Sequence, residues 1–303
     1  MQMFDINIAF PYALSITFKT HEGGLYMVIH VITACHNRIL TTEKFVKSIK
    51  KQSYKQIHLI LVDDGCTDGT SEMVYKEMPD ATVIRGNGNL FWGGALHKAY
   101  KWVINNKLPN DDVIFFTNDD NIFKKTYLEE SLERLKTNPN SLITGNGFSM
   151  QTGKQCDGVS YCNLKTGEIT LLGTDAEGNL ADTRSLMMWV KDLKRIGGFH
   201  PILLPHYLSD YEFVLRAAKK GYVIKTFNNL RFDYDRSLTG IKNLSKLSVR
   251  RLFSKRCPYN PIYKFSYIFL VTPIKYIPAR IGRQIQNYFL LFTKKKDIGQ
   301  KVD

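Results

Sequence analysis

Three short polar clusters each follow an apolar, β-branched run: Cys35-His36-Asn37-Arg38, Asp63-Asp64-Gly65 and Asn118-Asp119-Asp120-Asn121. Adjacent carboxylates such as Asp119 and Asp120 repel and raise one another's pKa unless a cation stands beside them. A divalent ion relieves that repulsion. Hard oxygen ligands suit Mg²⁺ or Mn²⁺, commonly held by one or two carboxylates plus substrate phosphates. Acids are equally favoured where a helix begins, so both readings stay open on these residues alone. Asp63-Asp64-Gly65 reads first as a turn, Asp-Gly being a frequent turn pair. Alternatively, a carboxylate there accepts from a base N–H or a ribose hydroxyl. A fourth stretch, GNGNLFWGG (86–94), has more glycine than an ordinary connection. Glycine permits close backbone approach to a ligand, and amides at a following helix start can meet a phosphate. The spacing of Gly86, Gly88, Gly93 and Gly94 is neither a P-loop nor G-x-G-x-x-G. Its plainer reading is a turn with Phe91 and Trp92 packed inward.

These clusters meet only if the elements between them bring them together. VIHVITA (28–34), IHLILV (57–62), TVI (82–84) and VIFFT (113–117) read as short buried strands. Between and after them, helices are predicted with Phe45, Val46 and Ile49 on an apolar face behind a Thr41 or Thr42 cap, then over 71–78, 95–105 and 127–136. A later helix is predicted over 210–220, closed by Gly221. Strands alternating with helices imply an α/β fold with a mostly parallel, Rossmann-like sheet covered on both faces. Ligands of such sheets bind outside the carboxyl ends of the strands, so three polar loops should converge on one crevice. After Ser141 the pattern loosens into glycine-containing turns, up to about Gly178.

The chain has 303 residues, 44% hydrophobic and 23% charged, which fits one large globular domain or one domain with an appendage. Residues 1–26 precede a second methionine, Met27, and read as an appendage or an unused upstream start. Residues 27–240 form the main domain, with a soft boundary near 240. The net charge of +14 is concentrated beyond that boundary: residues 241–303 hold 14 Lys and Arg against two Asp. That segment mixes cations with Phe, Tyr, Ile and Leu, and Pro258, Pro261, Pro273 and Pro278 are expected to chop it into short pieces. Such a segment suits attachment to an anionic membrane surface. Packing on the main domain is the plainer alternative, and no nucleic acid is expected. No apolar run reaches 18 residues, so a spanning helix is not predicted. Five cysteines without framework spacing point to free thiols and a reducing compartment. The expected location is cytoplasmic, peripheral on the cytoplasmic face of the membrane.

ITACHNR, VDDGCTDGT, GNGNLFWGGALHKAY and FFTNDDN occur in the order and approximate spacing of family 2 glycosyltransferases, which have the GT-A fold. IGGFHPILLPHYLSDYEFVLRAAKKGY resembles that family's GGF…(E/D)D…R…G segment. The resemblance covers roughly Val28 to Asn229 and looks most like bacterial enzymes that add sugars, rhamnose among them, to surface polysaccharides. It implies a metal-dependent, inverting transfer of a sugar from a nucleotide-diphosphate donor to a hydroxyl of a glycan or lipid-linked acceptor. By the resemblance, Thr33, His36, Arg38, Asp63, Asp64, Gly88, Asn89, Gly93 and Asp119 serve the donor nucleotide. Asp120, with Asp119, holds Mg²⁺ or Mn²⁺, and Asp210 is the catalytic base. Trp189, His206 and Glu212 lie where acceptor-side residues are found. The chain departs from the family pattern in reading N-D-D for D-x-D and Ser209 before Asp210. After the last core strand it offers Asp233 and Asp235 where some relatives have histidine. The alternatives are a non-catalytic nucleotide-sugar-binding protein and a metal-dependent sugar nucleotidyltransferase.

Overall fold

The computed structural model describes residues 27–235 and 249–299. The appendage expected over 1–26 and the boundary expected near 240 lie outside the described residues. The first half follows the predicted alternation: β1 (Ile29–Cys35), α1 (Ile39–Lys50), β2 (Ile57–Asp63), α2 (Thr70–Glu77), β3 (Thr82–Arg85), α3 (Phe91–Asn105) and β4 (Val113–Thr117). The four strands pair in parallel in the order β3-β2-β1-β4. Alternate side chains point to opposite faces. Val31, Leu59, Leu61 and Phe115 pack with Phe45, Val46 and Ile49 of α1. Ile32, Ile60, Val62 and Phe116 pack with Ala95, Leu96 and Ala99 of α3. Both faces are covered, which is why these strands are apolar throughout.

The second half begins with β5 (Asn121–Phe123), α4 (Tyr127–Thr137), β6 (Ser141–Thr144), β7 (Asn146–Ser149), β8 (Gln155–Asp157), β9 (Ser160–Cys162), β10 (Ile169–Leu171) and β11 (Ala176–Gly178). It continues through β12 (Ser185–Trp189), α5 (Val190–Ile196), α6 (Ser209–Lys219), β13 (Val223–Thr226) and β14 (Arg231–Tyr234). Strand β12 runs antiparallel between β4 and β6, and β13 and β11 extend the sheet to eight strands. A second sheet, β5-β14-β7-β8, stands beside the end of β4. This is a mixed, mostly parallel α/β architecture, as the alternation of strands and helices predicts.

Local differences from the predicted elements have physical causes. Thr41 and Thr42 lie inside α1, whose first amide, that of Ile39, is satisfied by Asp68 Oδ2 at 2.9 Å instead of by a threonine cap. Helix α3 starts at Phe91, four residues earlier than predicted, so Gly93 and Gly94 lie in its first turn. A Cβ on Gly93 would collide with the Leu204 carbonyl and Ser209, so glycine there lets α3 approach the start of α6. The prolines of the C-terminal segment begin helices more than they interrupt them. Pro261 opens α8 (Pro261–Val271) and Pro278 stands in the first turn of α9 (Ile277–Gly299), after a short α7 (Val249–Leu252). A proline is tolerated in the first turn because its missing N–H would have no helical partner there. Helix α8 packs Tyr267 and Val271 against Leu204 and Leu215 beside α6.

Candidate active site

A cleft of about 780 Å³ opens at the carboxyl ends of β1, β2 and β4. Of the expected site residues, His36, Arg38, Asp64, Asp119, Asp120, His206 and Asp210 line it. The turn after β4 aims both of its acids inward. Arg38 forms an ion pair with Asp119 Oδ1 at 3.0 Å and donates to Asp120 Oδ2 at 3.5 Å, while the Thr42 hydroxyl donates to Asp119 Oδ2 at 2.9 Å. Burial, and then Asp120 beside it, push the Asp119 carboxyl up to about 6 despite Arg38.

The other wall comes from the second half of the chain. Arg184, in the strap before β12, donates to Asp120 Oδ1 at 3.1 Å, lies 3.1 Å from Asp157 Oδ2 and stacks 4.4 Å from the centre of the Tyr234 ring. Asp182 lies in the same cluster, and burial, then Asp157, raise its carboxyl well above the usual range. Asp210, in the first turn of α6, accepts from its neighbour's amide, Tyr211 N, at 2.9 Å. Burial raises it to about 6, with Asp157 adding and Arg184 opposing. Three non-glycine residues at the rim hold left-handed backbone: Asn37 (φ 51°), Phe91 (φ 56°) and Leu208 (φ 69°). Such conformations persist only where the surroundings impose them, and they cluster at functional sites.

Six carboxylates therefore face the cleft (Asp64, Asp119, Asp120, Asp157, Asp182 and Asp210) against four cations, Arg38, Arg184, Arg256 and Lys264. Among the described residues no group of three or more His, Cys, Asp or Glu side chains forms a metal cage. Mg²⁺ and Mn²⁺ sites do not need one, since phosphates and water supply the remaining oxygens. The donor set fits such an ion. Asp120 Oδ2 has only the long 3.5 Å contact to Arg38 and faces the cleft, and the surplus of carboxylates favours an added cation.

Seven expected residues do not line the cleft. Asp63 is wholly buried beneath the loop, accepting from the Cys66 amide at 2.6 Å, from Ser71 and from Arg85. Burial alone would raise it, but the hydrogen bonds from Ser71 and Cys66 outweigh burial and hold it below the usual carboxylate range. Asp64 is the member of the pair that reaches the cleft. Its carboxylate accepts from Gly88 N (2.9 Å), Leu90 N (3.0 Å) and Phe91 N (3.0 Å), so the glycine-rich loop spends its amides on protein and not on an open phosphate cradle. Gly88 thus serves Asp64, Asn89 is exposed, and Gly93 sets the α3–α6 distance. Thr33 is buried within β1. Trp189 pairs with Val113, at the opposite end of β4 from the acids. Glu212 is buried in an ion pair with Arg216 at 2.8 Å. Asp233 pairs with Arg231 at 3.0 Å, and Asp235 accepts from Gln151.

Sequence pattern pointed to none of Asp157, Asp182, Arg184, Arg256 and Lys264. A polar Asp-Thr-Arg triplet ahead of the apolar SLMMW run was the one usable signal.

The model of glycosyl transferase family 2 matches residues 30–163. Poly-beta-1,6-N-acetyl-D-glucosamine synthase of Staphylococcus epidermidis is 27% identical over 107 residues, 32% of this chain and 26% of that protein. An enzyme of the same description from a named strain of that species gives the same figures. The chain thus matches about a quarter of the length of these curated relatives. Among solved structures, a mannosyltransferase of Pyrobaculum calidifontis in complex with GDP-Man and Mn²⁺ aligns with a TM-score of 0.52 and 16% identity. That alignment covers 91% of this chain and 81% of that one.

Proposed function

We propose, from the match of residues 30–163 to glycosyl transferase family 2, that the protein transfers a sugar, with inversion, from a nucleotide-diphosphate donor to an acceptor hydroxyl. The observation that carries the reading is one cleft with Asp119, Asp120 and Arg38 on one side and Asp210 on the other. On this reading His36, Arg38 and Asp64 face the donor. Asp210 takes the proton of the acceptor hydroxyl as its oxygen bonds to the anomeric carbon. The bond from that carbon to the diphosphate breaks, and the diphosphate leaves with the electron pair. A carboxyl near 6 suits this task, because a base works best with a pKa close to the operating pH. One base and one displacement invert the anomeric centre.

Asp120, with Asp119, would hold Mg²⁺ or Mn²⁺. Bound there, the ion offsets charge on the departing diphosphate. Arg38 and Arg184 fix the orientation of the two acids. The likeness to a poly-beta-1,6-N-acetyl-D-glucosamine synthase supports a glycan acceptor.

Attachment to an anionic membrane surface belongs to the same reading. Among the described residues no helix is long and apolar enough to cross a membrane. The C-terminal segment does expose Phe253, Ile262, Phe269, Ile274, Ile285 and Phe289, which together with its cations suits an interface.

A panel of nucleotide sugars, with and without Mn²⁺, tests the reading. Donor hydrolysis or transfer is the expected result. Tight binding without turnover would leave a sugar-nucleotide-binding protein, and pyrophosphate exchange would indicate nucleotidyl transfer.

A further inference from the structure

We propose that Arg256 and Lys264, supplied by the C-terminal segment, hold a phosphate group of the acceptor beside Asp210. This rests on the glycosyltransferase reading above and adds the chemical class of its acceptor.

Both cations line the cleft. The other two, Arg38 and Arg184, are engaged by Asp119, Asp120 and Asp157, whereas Arg256 and Lys264 pair with no carboxylate among the described residues. Lys264 is partly buried, and a desolvated ammonium without a counter-charge is costly. A ligand anion would remove that cost. The segment is also held in place. Cys257 is buried, Asn260 accepts from Ile262 N at 3.0 Å and donates to the Ser254 carbonyl at 3.2 Å, and α8 packs against α6. The backbone that carries the two cations is therefore fixed beside the cleft.

A third group faces the same space. His206 lines the cleft, and its buried Nδ1 has no partner. Burial, then Arg256, lower this imidazole to about 4, so it is neutral and carries a single N–H. A guanidinium, an ammonium and a neutral imidazole match the charge and acceptor oxygens of a phosphate.

Position assigns this phosphate to the acceptor. Arg256 lies 5.6 Å from the centre of the Phe91 ring and acts on His206 and Tyr207, which lead into α6 and Asp210. Arg38 already serves the Asp119–Asp120 side. The phosphate can belong to a lipid carrier or to a soluble phosphorylated glycan.

Calorimetry on the full-length protein with Mg²⁺ and saturating UDP or GDP separates the possibilities, with farnesyl diphosphate, inorganic pyrophosphate and farnesol as probes. The nucleotide-filled protein is expected to bind both diphosphates and to bind farnesol at least tenfold more weakly. Arg256→Gln and Lys264→Met should each weaken the diphosphates by about tenfold, the scale of one charged hydrogen bond. Tighter binding of farnesyl diphosphate than of pyrophosphate identifies a lipid carrier, and equal binding a soluble acceptor. Should Lys264→Met fail to fold, the exposed Arg256→Gln decides, together with loss of wild-type diphosphate binding as salt is raised. Diphosphates excluded once nucleotide is bound would overturn the proposal, as would variants that leave diphosphate affinity unchanged. Wild-type protein that binds neither nucleotide would instead sink the donor reading, and this inference with it.

Discussion

Asp210 and Arg184 show how single residues set the behaviour of the cleft. The folded protein holds the Asp210 proton up to about pH 6, whereas the unfolded chain releases it near 3.8. Transfer should therefore fall as pH drops through about 6, which a pH–rate profile measures. The same shift lowers stability at neutral pH, since the folded state binds more protons between those values and loses that advantage as pH rises through them. Asp210→Asn should reduce transfer by ~10²–10⁴. It should also raise stability by on the order of 1 kcal/mol, discounted because one side of the group meets the cleft. Denaturant melts would read the second effect, and a variant with normal turnover would remove Asp210 from the mechanism. Arg184 is a cation wedged among carboxylates, 3.1 Å from both Asp120 and Asp157. Arg184→Met leaves those charges unpaired and should cost about 3–5 kcal/mol, the usual result of breaking a buried pair. A loss below 1 kcal/mol in urea unfolding would show that solvent already screens the cluster.

At the scale of elements, the two ends of the sheet do different work. The carboxyl ends of β1, β2 and β4 carry the cleft, and the other ends carry a buried polar chain. His30 Nε2 lies 3.1 Å from Asp112 Oδ2, His30 Nδ1 lies 3.0 Å from His58 Nδ1, and His58 Nε2 lies 3.0 Å from Thr82 Oγ1. One set of neutral tautomers satisfies every partner: Thr82 donates to His58, His58 to His30, and His30 to Asp112. An added proton breaks that order. Burial, then His30, depress His58 to about 4 from 6.5. Stability from this group is therefore complete above about 6.5 and is lost as pH falls towards 4, where the unfolded chain takes up the proton first. The loss should reach about 2–3 kcal/mol. Comparing unfolding at pH 7 and pH 4.5 with a His58→Leu variant isolates it, because the variant should show a shallower acid loss. Equal slopes would remove His58 as the cause. The predicted strands and helices of the first half match the observed ones closely because β1, β2 and β4 bury nearly continuous apolar runs and the helices between them bury one periodic face. Strands β7 to β11 were not legible, being only three or four residues long, too short to display a period of two.

For the whole molecule, the uneven charge has a structural counterpart. The C-terminal segment packs α8 against α6 on one side, lends Arg256 and Lys264 to the cleft and exposes apolar side chains elsewhere. Composition leaves docking on the domain and a role at a surface as alternatives, and the geometry allows both in one segment. Full-length protein should co-sediment with phosphatidylglycerol vesicles and not with phosphatidylcholine vesicles at low salt. Binding should fall as salt is raised, since each cation contributes about 1 kcal/mol near an anionic surface. Recovery of all protein in the supernatant at low salt would show that the segment serves the cleft alone.

What the sequence determined by itself was the parallel α/β frame and the loops at its strand ends. Those follow from side-chain period and from carboxylates placed next to apolar runs, both of which are local properties. Tertiary structure decided which of two adjacent acids faces the cleft: a one-residue step along the chain puts Asp63 wholly beneath the loop and turns Asp64 to the cleft side, where it holds the glycine-rich loop. It also decided the far wall, where Asp157, Asp182, Arg184, Arg256 and Lys264 arrive from segments well beyond Asp119 and Asp120 in the chain. Electrostatic energy depends on distance through space, and chain separation carries no information about that distance until the strands have paired.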